Sequence, residues 1–230
     1  MNPVVFVTGI AGGMGAAIGE RMRRAGWAVA GYDRAEHSLA DVHFSGDVTD
    51  SESLVAAIDE TEAQLGPIAG LVCAAGHYES TAFTEVTDEQ MSTMLRVHLG
   101  GFATASQAVL GRMIKHGGGS IVAITSELAI GGGPRDSHYS AAKGAITGAM
   151  KSLAAEVAST GVRVNAVAPG PTNTALLATD SPWREPEYLK TLPSGALTEP
   201  EEVAACVQFL LESATFMIGE TLHPNSGAVI

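Results

Sequence analysis

Seven short apolar runs separated by longer stretches of helical composition constrain this chain more than any other feature. The runs are Val4–Thr8, Ala28–Tyr32, Val42–Phe44, Gly70–Ala74, Ser120–Thr125, Arg163–Ala168 and Glu220–His223. Most of their residues are β-branched or otherwise apolar and do not alternate with polar ones, which is the pattern of parallel strands covered on both faces. Stretches near 14–25, 51–65, 88–115, 138–159 and 200–212, rich in Ala, Leu, Glu, Met and Arg, predict the intervening helices. Strand and helix alternate from end to end, so the expected fold is α/β, a doubly wound parallel sheet with helices on both faces. No Ser/Pro-rich or charge-rich linker interrupts the alternation, and residues 1–230 are expected to form a single domain.

Two segments depart from this rhythm. Only eight residues separate Asp33 from Val42, too few for a crossover helix, so a loop or single turn is expected there. The segment at about 171–199 carries Pro171, Pro182, Pro186 and Pro193 together with Trp183 and Tyr188. It is too long for an ordinary connection and reads as a substrate lid.

The turn after the first run is Thr8-Gly9-Ile10-Ala11-Gly12-Gly13-Met14-Gly15. Glycines where a strand enters a helix let the backbone approach a pyrophosphate, and the helix N-terminus presents free N–H groups to it. Gly9, Gly13, Met14 and Gly15 are therefore candidate cofactor-binding positions of a Rossmann-like nucleotide fold, although their spacing differs from Gly-x-Gly-x-x-Gly. Asp33, eighteen residues beyond Gly15, falls where a ribose 2′-hydroxyl would lie. A carboxylate there accepts from the diol and repels a 2′-phosphate, which favours NAD over NADP; Arg34 partly opposes that preference.

Tyr139 and Lys143 are four residues apart and share one helix face. A fixed ammonium beside a tyrosine favours its phenolate, and the pair can shuttle a proton. Ser126 follows the fifth run, at the sheet edge where a substrate crevice is expected, and its hydroxyl can stabilise a developing alkoxide.

Together these motifs resemble the short-chain dehydrogenase/reductase family over essentially the whole chain. Thr8-Gly-x-x-x-Gly-x-Gly, Asp47-Val48, Cys73-Ala-Ala-Gly76, Ser126, Tyr139/Lys143, and Pro169-Gly170 followed by Thr174 occur in the family's order. The resemblance implies that Asp47 and Val48 contact the adenine and that Ala74, Ala75 and Gly76 line the nucleotide path. It implies that Pro169, Gly170, Thr172 and Thr174 position the nicotinamide carboxamide. Tyr139 would exchange a proton with the substrate oxygen, Lys143 would bind the nicotinamide ribose and lower the Tyr139 pKa, and Ser126 would polarise the carbonyl.

The chain departs from the family at three places. His98 in Val97-His98-Leu99-Gly100 stands where the family has the asparagine of its catalytic network, which supports a helix bend and a water leading from the lysine to solvent. His98 is accordingly either a buried residue bonded to backbone or a proton relay. Cys73-Ala74 replaces an asparagine pair, and His223-Pro224-Asn225-Ser226-Gly227 replaces an Asp-Gly-Gly loop.

The leading functional expectation is an NAD-dependent oxidoreductase acting on a secondary alcohol, a cyclic diol or the matching ketone. The alternatives are an NADPH-dependent 3-oxoacyl carrier-protein reductase and a catalytically weak nucleotide-binding sensor. His77, Tyr78, residues 127–133, Arg135, His138, Leu176, Leu177, Trp183 and Tyr188 are candidate pocket residues, with Arg135 a possible carboxylate partner. The lid's only basic residues are Arg184 and Lys190, sparse for a phosphopantetheine or coenzyme A. A formal charge of −12, from 13 Lys+Arg and 25 Asp+Glu, argues against nucleic acid and anionic membranes as partners. Two distant cysteines, Cys73 and Cys206, offer neither a zinc cage nor a disulfide framework, so no metal and a reducing compartment are expected. No apolar run approaches the ~18 residues that span a bilayer, and Met-Asn-Pro leads straight into the first run without a basic leader. Cytoplasmic residence is the expectation. Small residues along the 138–159 helix, and the family's habit of pairing that helix between subunits, predict a homodimer or homotetramer.

Overall fold

The computed structural model describes residues 2–36, 40–177 and 179–230. Seven parallel strands form one sheet: β1 Val4–Thr8, β2 Ala28–Asp33, β3 Val42–Ser45, β4 Ile68–Cys73, β5 Gly119–Ile124, β6 Val162–Val167 and β7 Thr221–Leu222. Their order is β3-β2-β1-β4-β5-β6-β7, which is the doubly wound arrangement with its switch point between β1 and β4. The helices are α1 Gly13–Arg24, α2 Ser51–Leu65, α3 Asp88–Leu95, α4 Gly101–Lys115, α5 Leu128–Gly131, α6 Ser137–Val157, α7 Pro186–Leu189 and α8 Pro200–Glu212. Among the described residues, no helix is long and apolar enough to cross a membrane.

The continuous apolar character of the strands follows from burial on both faces. Phe6, Ala30, Tyr32, Leu71 and Ile121 enter the core beneath α2, α4 and α6, whereas Val5, Val7, Val29, Val72 and Val122 enter the core shared with α1 and α8. Burying one such large side chain contributes roughly 1.5–3 kcal/mol, so the alternating strand directions feed two cores at once. Tyr32 brings a polar group into the first core; its hydroxyl lies within donating reach of the Asp47 carbonyl (3.1 Å) and Ser53 Oγ (3.0 Å).

The expected helix at 88–115 is not continuous. Arg96–Gly100 form a π-helical turn between α3 and α4, and the Gly101 amide reaches back to the Arg96 carbonyl. His98 lies inside this turn. The other boundaries move by a few residues: β2 extends to Asp33, β4 starts at Ile68, and β7 contracts to two residues. Of the connection expected between Asp33 and Val42, residues 37–39 lie outside the described residues, as does Ala178 of the 171–199 segment. That segment holds a short 3₁₀ turn at Pro182–Arg184 and α7, and its ends are joined by a parallel bridge between Thr172 and Thr198.

Candidate active site

All seven strands are parallel, so the loops that follow their C-terminal ends gather along one edge of the sheet. The glycine turn after β1 is packed too tightly for side chains. Gly9 has φ of 74°, and a Cβ there would lie 2.6 Å from Ala75 Cα; a Cβ on Gly15 would lie 2.0 Å from the Gly9 carbonyl oxygen. This brings Ala74, Ala75 and Gly76 against the turn, where the Ala75 amide also donates to Thr8 Oγ1 at 3.3 Å. The N-terminus of α1 carries no acidic residue in its first turn and no side-chain cap. Its first amides therefore remain as donors with no acceptor inside the helix. A bare, positively polarised cradle at a switch point fits a pyrophosphate.

The Asp33 carboxylate lies beside this turn. One oxygen accepts from the Ala11 amide (3.0 Å) and the other from the Ala35 amide (3.1 Å). Asp47 accepts from the amide and hydroxyl of Thr49, and those two bonds hold its carboxyl below the ordinary range. Arg34 comes no closer than 4.0 Å to Asp47, and both side chains are largely exposed. Val48 is buried against Gly101. Thr174 closes over Gly13, and Thr172 Oγ1 donates to the Gly170 carbonyl at 2.8 Å.

Further along the edge, a half-open cavity of about 70 Å³ is lined by Met14, Ser126, Glu127, Tyr139, Pro169 to Thr172 and Thr174, with Tyr78, Leu176, Leu177 and Trp183 on its outer side. The structure thus joins the glycine turn, the serine, the tyrosine and the 171–199 segment around one space. Tyr78 stacks edge-on against Tyr139 (5.3 Å between centroids) and meets Trp183 at 5.2 Å. Asp136, which carries no motif, accepts from the Tyr78 hydroxyl at 2.7 Å and anchors this aromatic wall. Arg135 is exposed, has φ of 70° and does not line the cavity. Of the cations in the 171–199 segment, Arg184 donates to the Leu177 and Thr174 carbonyls and to Asn173, while Lys190 pairs with Glu187 at 2.8 Å.

Lys143 lies one helical turn beyond Tyr139 and is almost fully buried. Its ammonium donates to the Ile124 carbonyl (2.8 Å) and sits 5.7 Å from the Tyr139 ring centre. Burial brings its pKa down to about 8, so it remains mostly cationic at neutral pH. Tyr139 differs from the sequence expectation. Burial first, and then the nearby Glu127 carboxylate, push its hydroxyl above the ordinary range; the ammonium does not draw it toward phenolate in this arrangement. A protonated Tyr139 is a proton donor over the whole neutral range.

His98 stands behind Tyr139, edge-on at 5.6 Å, and stacks on His77 at 5.5 Å. Its Nε2 donates to the His77 carbonyl at 2.9 Å. Nδ1 is buried with no partner among the described residues. Burial, with Lys143 nearby, drops its pKa to about 2, so the imidazole is neutral and bonded to backbone.

The enoyl-(acyl carrier protein) reductase family model matches residues 9–228. The chain is 37% identical to the acetoacetyl-CoA reductase of Synechocystis sp. over 229 residues, covering 97% of this chain and 95% of that one. The chain belongs to the short-chain dehydrogenase/reductase family. Membership makes it an oxidoreductase and implies a nicotinamide cofactor. Among other members, the 3-oxoacyl-(acyl-carrier-protein) reductase of Escherichia coli is 32% identical, with 97% of this chain and 96% of that one covered. The solved structure of Thermoplasma acidophilum aldohexose dehydrogenase is 30% identical with a TM-score of 0.92, covering 98% and 93% of the two chains. A 3-ketoacyl-(acyl-carrier-protein) reductase from Brucella melitensis, solved with NADH, shares the fold at 23% identity and a TM-score of 0.92, covering 99% and 98%. The names of the curated relatives fit the alternative expectation, an NADPH-dependent 3-oxoacyl carrier-protein reductase, better than the leading one, an NAD-dependent alcohol or cyclic diol oxidoreductase.

Proposed function

We propose that this chain is a nicotinamide-dependent ketone reductase acting on short 3-oxoacyl thioesters, with NADH as its preferred cofactor. The observation that carries the reading is the convergence of Ser126, Tyr139 and the glycine turn on one cavity, with Lys143 buried one helical turn from Tyr139. The named activities of the 37% and 32% identical relatives support the substrate class.

When bound, the nicotinamide supplies the hydride that reduces the carbonyl carbon. In this reading the orphan amides of α1 bind the pyrophosphate, Asp33 accepts from the adenosine ribose, and Asp47 and Val48 flank the adenine. Ala74 to Gly76 line the path, and Pro169, Gly170, Thr172 and Thr174 hold the carboxamide. Ser126 donates to the substrate carbonyl oxygen and draws charge onto it. Tyr139, kept protonated by its surroundings, gives its proton to that oxygen as the C–H bond forms. Lys143 positions the ribose and presents a positive charge behind the phenolate left on Tyr139, which then regains a proton from solvent. His98 serves as a structural prop. The 171–199 segment acts as lid over a substrate within a single domain, and the chain assembles as a homodimer or homotetramer across α6, where Gly144 and Gly148 have open space at their Cβ positions.

A second reading, oxidation of a polyol or cyclic diol with NAD, is favoured by one observation: the buried Glu127 carboxyl beside Ser126 can accept from a second substrate hydroxyl. The 30% identity to aldohexose dehydrogenase points the same way. Following the absorbance of NADH separates the two. Turnover of acetoacetyl-CoA with NADH, at a kcat/KM well above that for glucose or cis-cyclohexane-1,2-diol with NAD, supports the thioester reductase. The reverse ranking overturns it.

A further inference from the structure

Glu127 directly follows the serine assigned above to the carbonyl oxygen. It is 5% exposed, as is Ser126, and it lines the same cavity. Ser126 Oγ has one proton to donate; Glu127 Oε2 is placed to accept it across 3.1 Å, and the Tyr139 hydroxyl also lies within the serine's reach. The Leu128 amide donates to the same Oγ at 3.2 Å, occupying one of its lone pairs. A hydroxyl has one donor and two acceptor sites. While Glu127 is ionised and engaged in this way, Ser126 has no proton left for a substrate oxygen.

We propose that Glu127 is a positioning residue that sets the direction of the Ser126 hydroxyl. As a carboxylate it takes the serine proton. As a carboxylic acid it donates to the free lone pair of Oγ and turns the serine O–H toward the substrate carbonyl.

The surroundings of Glu127 suit such a residue. Burial raises its pKa to about 7, against which the Glu127 and Leu128 amides and the Ser126 hydroxyl partly stabilise the charged form. Asp136, at the start of α6, adds a second negative charge facing it. Tyr139 from α6 and Tyr188 from α7 also face it, and the carboxylate raises the pKa of both hydroxyls. Among the described residues, the groups named as acting on Glu127 include no cation. The carboxylate form therefore works against catalysis twice, withholding the serine proton and crowding the phenolate that Tyr139 must become. Reduction is favoured when Glu127 is protonated.

This inference rests on the reading of Ser126 as the carbonyl donor, and the test separates the two. The side-chain carboxyl of Glu127, labelled with ¹³C and assigned by its loss in Glu127→Gln, is expected to titrate near 7 and to move upward in Ser126→Ala, where a donor to the carboxylate is gone. Titration in the ordinary carboxylate range, about 4.3, or a value unmoved by Ser126→Ala, overturns the proposal. This measurement needs no turnover, so it decides even if acetoacetyl-CoA is not a substrate. With acetoacetyl-CoA and NADH, wild-type kcat/KM is expected to bend near pH 7 and then fall about tenfold per unit. Glu127→Gln, whose amide donates to Oγ at any pH, holds its rate until about pH 8, where Lys143 deprotonates. A bend near 7 that survives in Glu127→Gln overturns the assignment. A Ser126→Ala enzyme with the wild-type rate instead overturns the role given to the serine, whereas an inactive Ser126→Ala with an unchanged Glu127→Gln profile overturns only the role of Glu127.

Discussion

A methyl group built on Gly76 would lie 2.4 Å from Cε1 of His98, so the imidazole fills the volume that any side chain at position 76 would need. The residue that departs from the family's asparagine is thus packed directly against Gly76. Gly76→Ala is expected to cost about 1–3 kcal/mol through overpacking. In a His98→Ala background the same change is expected to cost less than half as much. Urea unfolding of the four proteins in a double-mutant cycle measures the coupling, and additive costs would show that the two sites are independent.

The neutral state of His98 has a consequence for stability in acid. Its folded pKa of about 2 lies below the unfolded value of ~6.5, so between these limits the unfolded chain binds a proton that the folded chain refuses. Stability from this group is complete above about pH 6.5 and is lost as pH falls, reaching about 1.4 kcal/mol at pH 5.5. His98→Asn removes that dependence. The difference in urea midpoint between pH 7.5 and 5.5 is expected to be smaller in the variant, and equal differences would mean that His98 titrates normally in the fold.

Asp33 is expected to make NADH bind at least about tenfold more tightly than NADPH, about 1.4 kcal/mol. Asp33→Asn keeps an oxygen for the Ala11 amide but removes the charge and the acceptor that faces the Ala35 amide, so the ratio should shrink toward one. Isothermal titration with both cofactors is the measurement. Equal affinities in the wild type would mean that the Asp33 charge does not select against the 2′-phosphate.

Tyr139→Phe preserves the ring that packs against Tyr78 and His98 but removes the proton donor. Turnover is expected to fall by the 10²–10⁴-fold typical of lost general acid catalysis, with NADH affinity nearly unchanged. A variant that keeps most of its kcat would mean that another group protonates the substrate oxygen.

The parallel sheet was legible because strands buried on both faces leave continuous apolar runs in the sequence, as Val4 to Val7 do. The glycine turn, Ser126, Tyr139 and Lys143 were legible because their spacing follows local geometry. The π-helical turn at Arg96–Gly100 was signalled only by the family's helix bend at position 98, not by the residues themselves. The composition of 88–115 is that of an ordinary helix, and the contact made within the turn, His98 to the His77 carbonyl, joins residues 21 apart. The engagement of Ser126 by Glu127 was equally hidden, since neighbouring residues in a chain point the same way only when the start of α5 bends them together. Asp136 carried no signal either, because its partner Tyr78 lies 58 residues away.

The widened turn at Arg96–Gly100 also acts as a phase adjustment between two helices. A chain that winds once through i→i−5 bonds carries one residue more than an α-helix of the same rise, and each residue turns the helix by about 100°. Winding the same residues as unbroken α-helix from α3 into α4, with none removed, would rotate everything downstream by that angle. Phe102, Ala105, Val109 and Met113, all buried against the sheet, would swing off it together. The bend that carries His98 is for this reason also what keeps the next four turns of helix in step with the core.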